Sequence, residues 1–232
     1  MATTTTPRAE ARILQIETIK EVSRRLIGEK GVAGLSLREV AREMGLVSSA
    51  PYRYFANRDE LLTALILDAY NDLGAAVERA DARHSSSNSR ARWHAAARAV
   101  RKWAKQHPHE YGLIYGTPVP NYEAPLLTIE AATRVTRVLG GILSDEWARR
   151  PARAANSAAG NTPRGFLMVE NLSEQMPRVP PDQFVKALMA WTLIFGFVSF
   201  ELFGHYVGTV RNANVMFERV MNELADDLGL SQ

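Results

Sequence analysis

The stretch LREVAREMGLVSSAPYRYF, Leu37–Phe55, reads as two helical pieces joined at a glycine. Ser36 and Glu39 form an S-x-x-E capping box that starts the first piece. It runs to Met44, where Gly45 can take the left-handed backbone that stops a helix. A short second piece is expected over about Ser48 to Phe55. It puts small residues first and longer polar ones behind, the order required of a helix whose N-terminal end approaches a base-pair edge. Ala41 is small enough to let the two pieces pack, and Val40, Leu46 and Phe55 can fill the space between them.

The flanks extend this pattern. A first helix is expected over about Glu10 to Lys30, with Ile13, Ile16, Ile19, Val22 and Leu26 at three- and four-residue steps. Asn57 and Glu60 make a second cap, and a long helix follows to about Ala80 with Leu61, Leu62, Leu65, Ile66, Ala69, Leu73 and Val77 on its buried stripe. Together these residues resemble the DNA-binding domain of the TetR family of transcriptional regulators. The matching phrases are GLSLREVAREMGL, then APYRYF, then NRDELLTALI. The chain departs from the family phrase at Val47, where serine is common, at Tyr54, where histidine is common, and at Arg58, where lysine is usual.

The resemblance implies that Ser48, Ser49 and Ala50 lie closest to the bases, with Ala50 against a thymine methyl. Tyr52 and Tyr54 would donate to phosphates, and Arg53 would reach a phosphate or a guanine edge. Ser36 and Arg58 would hold the backbone at two helix N-termini. The alternative for Tyr52 is packing under the first helix. Arg8 and Arg12 are further candidates, against the plainer reading of a frayed charged tail.

Beyond residue 82 the sequence is also helical. The serine-rich loop RHSSSNSR is followed by expected helices at about 91–105, 124–149, 182–206 and 213–228, and RPARAANSAAGNTPR is the most loop-like stretch. HEYGLIYGTPVP reads as one or two short turns. No strand pattern or hairpin turn interrupts this series. The expected fold class is therefore all-α. An N-terminal arm and helix-turn-helix domain (1–57) is joined by a connecting helix (58–82) to a helical effector-binding and dimerisation domain (83–232).

A reader built on one short helix gains from two-fold symmetry. Gly196, Ser199, Phe200, Phe203, Met216 and Val220, on the last two helices, are the candidate dimer surface. WTLIFGFVSFELFGHY partly resembles a C-terminal phrase of a TetR subgroup, with Phe195 where histidine would stand. The family resemblance also implies an effector cavity, for which Trp103, Tyr111, Tyr115, Phe166, Met168, Met176, Trp191 and Phe195 are candidates. Each could equally be plain core.

Composition narrows the function classes. The 232 residues carry 28 Lys and Arg against 25 Asp and Glu, a net charge of +3 that permits a nucleic-acid partner without requiring one. There is no cysteine, which removes thiol catalysis and thiolate-held zinc and fits a reducing cytoplasm. No glycine-rich phosphate loop and no Ser/His/Asp set points to an enzyme. His107 and His109 lack a third ligand nearby, so no metal site and no cofactor are expected. The seven basic residues between Arg83 and Lys105, with no acid among them, read as a solvated helix face. The uncharged run Ala187 to Phe200 is shorter than the roughly 20 residues a membrane span needs and reads as a core helix. MATTTTPRAEAR has no apolar core of a signal peptide.

The expected function is that of a ligand-responsive, cytoplasmic DNA-binding homodimer, a repressor released from an inverted-repeat operator on double-stranded DNA by a small apolar or aromatic effector. A helical small-molecule carrier or partner-binding scaffold that no longer reads DNA is the alternative.

Overall fold

A computed structural model of the chain describes residues 6–151 and 178–232. The described residues are helical with no strand, and they divide into two compact units. The first comprises residues up to Tyr70 together with His107–Ala131, and the second comprises Asn71–Gln106 with Ala132–Gln232.

In the first unit, helix α1 (Pro7–Lys30) starts on Thr6, whose hydroxyl accepts the Ala9 N–H, with Pro7 at the first helical position. A proline there sacrifices only an N–H that would have no helical partner anyway. A 3₁₀ turn (Val32–Gly34) leads to α2 (Leu37–Glu43), where the Ser36 hydroxyl accepts the Glu39 N–H at 3.1 Å, as the capping box requires. At its end Gly45 sits at φ +66°, its N–H donating to Arg42 and that of Leu46 to Ala41. This paired closure satisfies the last carbonyls of α2 and turns the chain sharply.

The expected helix over Ser48 to Phe55 is instead a bend followed by a single 3₁₀ turn, Pro51–Arg53. Proline at 51 has no N–H to give the Val47 carbonyl, so that one bond of a four-residue ladder is missing, although Phe55 donates four residues back to the Pro51 carbonyl at 3.1 Å. The Val47 carbonyl accepts from Ala50 instead, and Arg53 and Tyr54 donate three residues back, to Ala50 and Pro51. Helix α3 (Arg58–Asp81) then starts on Asn57, whose side chain accepts the Glu60 N–H at 2.9 Å, while Glu60 reaches back to the Ala56 N–H.

Ile19, Leu26, Leu35, Leu37, Val40, Phe55, Leu61, Leu62 and Leu65 form the core of this unit, all at most 5% exposed. Ala41 is buried as expected, and so is the whole stripe from Leu61 to Val77. Two expectations fail: Ile13 is 56% and Leu46 42% exposed, because Ile13 lies near the free end of α1 and Leu46 beyond the glycine turn.

Helix α5 (Pro108–Tyr115) and the segment behind it belong to this first unit as well. Leu113, Val119 and Tyr122 pack on its core, and the Tyr122 hydroxyl lies 2.9 Å from that of Thr63. The compact units part at Tyr70–Asn71, inside α3.

The second unit gathers α4 (Ser89–Gln106), α7 (Arg134–Arg149), α8 (Pro181–Leu202) and α9 (Ala213–Asp227). A five-residue α6 (Thr128–Ala132) precedes α7. The single helix expected from 124 to 149 is thus two, and it starts late because Pro125 biases Ala124 towards extended backbone; the Pro125 carbonyl then accepts both the N–H and the hydroxyl of Thr128.

Helix α4 packs against α7, α8 and α9 through Trp93, Ala96, Ala97, Val100 and Trp103. The Trp93 indole donates to the Met221 carbonyl at 2.9 Å. Arg92 bonds both carboxylate oxygens of Asp81 and one of Asp145, and Arg101 holds Glu201 with two bonds of 2.6 and 2.7 Å. Among the described residues α8 is the one helix long and apolar enough to cross a membrane, but it turns Phe184, Ile194, Phe197 and Val198 into the core of this unit.

Candidate nucleic-acid interface

The site is the tip between α2 and α3. Pro51 and Phe55 are buried and anchor it from below, leaving Val47, Ser48, Ser49, Tyr52 and Arg53 exposed, with Ala50 half-buried. Tyr52 is 47% exposed, which excludes the alternative that it packs under α1. Tyr54 behaves differently: it is half-buried and packs on the core, with the Arg12 guanidinium 5.4 Å from its ring centre. Residues two apart on a turn of three per cycle lie about 240° around the axis from each other, so the two tyrosines cannot share a face.

Electrostatics distinguish the cations of the tip from those around it. Lys30 and Arg42 are both bound to Glu39, whose carboxyl is held below its ordinary range chiefly by the bond from Lys30. Arg25 pairs with Glu43 at 3.3 Å. Among the described residues Arg12, Arg38 and Arg53 make no ion pair. Arg38 and Arg53 are exposed to solvent, and Arg12 also donates to the Arg53 carbonyl at 3.4 Å. Arg12 is therefore part of a folded helix lying over the tip rather than a frayed tail.

Arg38 is a further candidate that no motif in the sequence marks. It stands two residues after the Ser36 cap, at a helix start where a phosphate would also meet free N–H groups. Arg58 is turned inward: its guanidinium donates to the Leu35 and Val32 carbonyls at 2.9 and 3.0 Å, fastening the turn before α2 to the start of α3. Ser36 is exposed, with its hydroxyl spent on the cap.

Hydroxyls, a small residue and unpaired arginines on an exposed, anchored tip make a surface that can donate to phosphates and to base edges. Two family models match the chain: the bacterial regulatory proteins of the tetR family over residues 19–65, and the tetracyclin repressor-like C-terminal domain over residues 93–224. An HTH-type transcriptional regulator of Mycobacterium tuberculosis is 39% identical over 195 residues, covering 83% of this chain and 82% of that protein. The chain belongs to the TetR family. It is a transcriptional regulator of the TetR type and not an enzyme.

A regulator of Mycobacterium bovis matches to the same extent as that of M. tuberculosis. Among solved structures, SCO4313, described as a regulatory protein, aligns with a TM-score of 0.72 at 29% identity, covering 95% of this chain and 100% of that one. The TetR family regulator PfmR of Thermus thermophilus shares the fold, with a TM-score of 0.56 at 15% identity over 89% of this chain and 96% of its own.

The other candidate residues of this TetR-family chain divide between its two units. Tyr111 is fully buried in the first, with Tyr115 5.3 Å from it and 6.1 Å from Tyr70, ring centre to ring centre. Burial beside these two rings pushes the Tyr115 phenol well above its usual value. In the second unit Trp103 and Phe195 are buried, and Trp191 lies 5.5 Å from Phe195. Phe166, Met168 and Met176, and most of the loop from 150 to 164, lie outside the described residues. On α8, at its C-terminal cap and on α9, Phe200, Phe203 and Met216 are exposed, while Gly196, Ser199 and Val220 are half-buried. Met189, Leu193 and Val215 are exposed as well.

Proposed function

We propose that the chain is a cytoplasmic, ligand-responsive repressor that binds an inverted-repeat operator as a homodimer and leaves it when a small apolar or aromatic effector binds. The observation that carries DNA reading is the tip itself: Ser48, Ser49, Tyr52 and Arg53 are exposed together, and Arg53 and Arg38 have no carboxylate to neutralise them among the described residues. Ala50 lies among these residues and Tyr54 steadies Arg12 beside them. Ser36 serves as the cap behind Arg38, and Arg58 acts indirectly by bracing the turn before α2.

Dimerisation is supported by the stripe Met189, Leu193, Gly196 and Phe200, which recurs at three- and four-residue steps and leaves Met189, Leu193 and Phe200 exposed. Effector binding is supported by the aromatic content of the C-terminal part and by its match to the tetracyclin repressor-like domain. A ligand would act by favouring a conformer whose two tips no longer fit successive major grooves, about 34–36 Å apart.

The test is selection from random duplex DNA with purified protein at two salt concentrations. An inverted repeat that is recovered, and weakens steeply as salt rises, is the expected result. Folded, dimeric protein, freed of small molecules by extraction, that recovers no sequence would refute operator reading and leave a carrier or scaffold.

A further inference from the structure

Val47 is the odd member of the tip. Of the large apolar side chains between residues 6 and 70 it is the most exposed, at 72%. A single exposed valine is ordinary on a protein surface. This one is held in place: Gly45 and its two turn-closing bonds fix the chain before it, its carbonyl accepts the Ala50 N–H at 2.9 Å, and buried Pro51 fixes the chain behind it. A β-branched side chain is also stiff about its first torsion, so little freedom remains to be lost on contact.

The surroundings identify what would cover it. Ser48 and Ser49 follow it directly, and the unpaired cations Arg38 and Arg53 flank the tip, so a polyanion is drawn to this surface. In the major groove of that polyanion, thymine alone of the four bases presents a methyl group. Serine hydroxyls donate to or accept from any base edge, so they discriminate little; an apolar branched side chain beside them prefers the methyl and penalises an exposed polar edge.

We infer that Val47 reads the 5-methyl group of one thymine in each operator half-site. This rests on the DNA-reading function proposed above. Burying one methyl against another is worth about fourfold in affinity, and the two half-sites of a dimer together about fifteenfold.

The experiment uses the operator recovered by selection, with each thymine replaced in turn by deoxyuridine. That change removes the methyl and keeps base pairing. Affinities are measured for the full-length protein and for Val47→Ala, whose fold is checked by thermal melting because position 47 is solvent-exposed. The expected result is one thymine per half-site where deoxyuridine weakens the natural protein about fourfold and leaves Val47→Ala unaffected. A flat deoxyuridine scan on a tightly bound operator overturns the inference while leaving DNA reading intact. A deoxyuridine effect of equal size in Val47→Ala also overturns it and moves the methyl contact to another residue, such as Ala50. Failure to recover any operator overturns this inference and the proposed DNA reading together.

Discussion

Replacing Arg53 with alanine separates the two roles open to its guanidinium. The side chain is exposed and makes no ion pair among the described residues, so its loss should leave stability within about 0.5 kcal/mol. If Arg12, Arg38 and Arg53 each neutralise one phosphate, a dimer neutralises about six, and log K should fall with log salt with a slope of about −5.4. The variant would neutralise about four, with a slope near −3.6. Between 50 and 200 mM salt the natural protein should then lose about twelvefold more affinity than the variant. Fluorescence anisotropy with a labelled operator at four salt concentrations measures this directly. Should Arg53 read guanine instead, the slope would stay near the natural value and discrimination would relax at one base pair per half-site, by about 1–3 kcal/mol. An unchanged slope with unchanged discrimination would refute the placement of Arg53 on DNA, and with it the assignment of the tip as the reader.

Three further outcomes are expected. Gly45→Ala meets no atom within 4 Å, so its cost is that of a left-handed backbone alone, about 1 kcal/mol by urea denaturation, with DNA affinity falling further if the turn aims the tip. Phe200→Glu, at a half-exposed position, should give folded monomers by light scattering that bind the operator poorly; a dimer of undiminished affinity would move the interface elsewhere. Glu201 is held below its ordinary carboxyl value of 4.5 chiefly by its bonds from Arg101, partly offset by burial, with Lys105 helping. A depressed folded value stabilises at neutral pH, and this contribution should fade as pH falls from about 4.5 through that lowered range. Glu201→Gln should therefore lose stability at pH 7 and show a shallower acid decline than the natural protein; equal declines would refute the linkage.

Local signals in the sequence were sufficient wherever the decisive interaction is local. Ser36 with Glu39, Asn57 with Glu60, and Gly45 act within a few residues of themselves, and all three caps form as their spacing implies. The helical stripe from Leu61 to Val77 repeats often enough to fix which face is buried. Legibility ends where a residue's partner lies far along the chain. Arg58 finds its carbonyls more than twenty positions earlier, and α5 joins the first unit through contacts with α1 that no periodicity within either helix announces. Tyr52 and Tyr54 fall between these cases. Their segment is too short for a hydrophobic period, so only the family resemblance implies that both donate to phosphates. Pro51 removes one donor from this segment, and residues two apart on the tight turn that forms must diverge. One tyrosine therefore reaches solvent and the other braces Arg12. The bend before that proline also sets the exposure of the candidate groups at the tip: the Val47 carbonyl closes on the Ala50 N–H, the one donor Pro51 lacks leaves it free to do so, and the Val47 side chain stays in solvent.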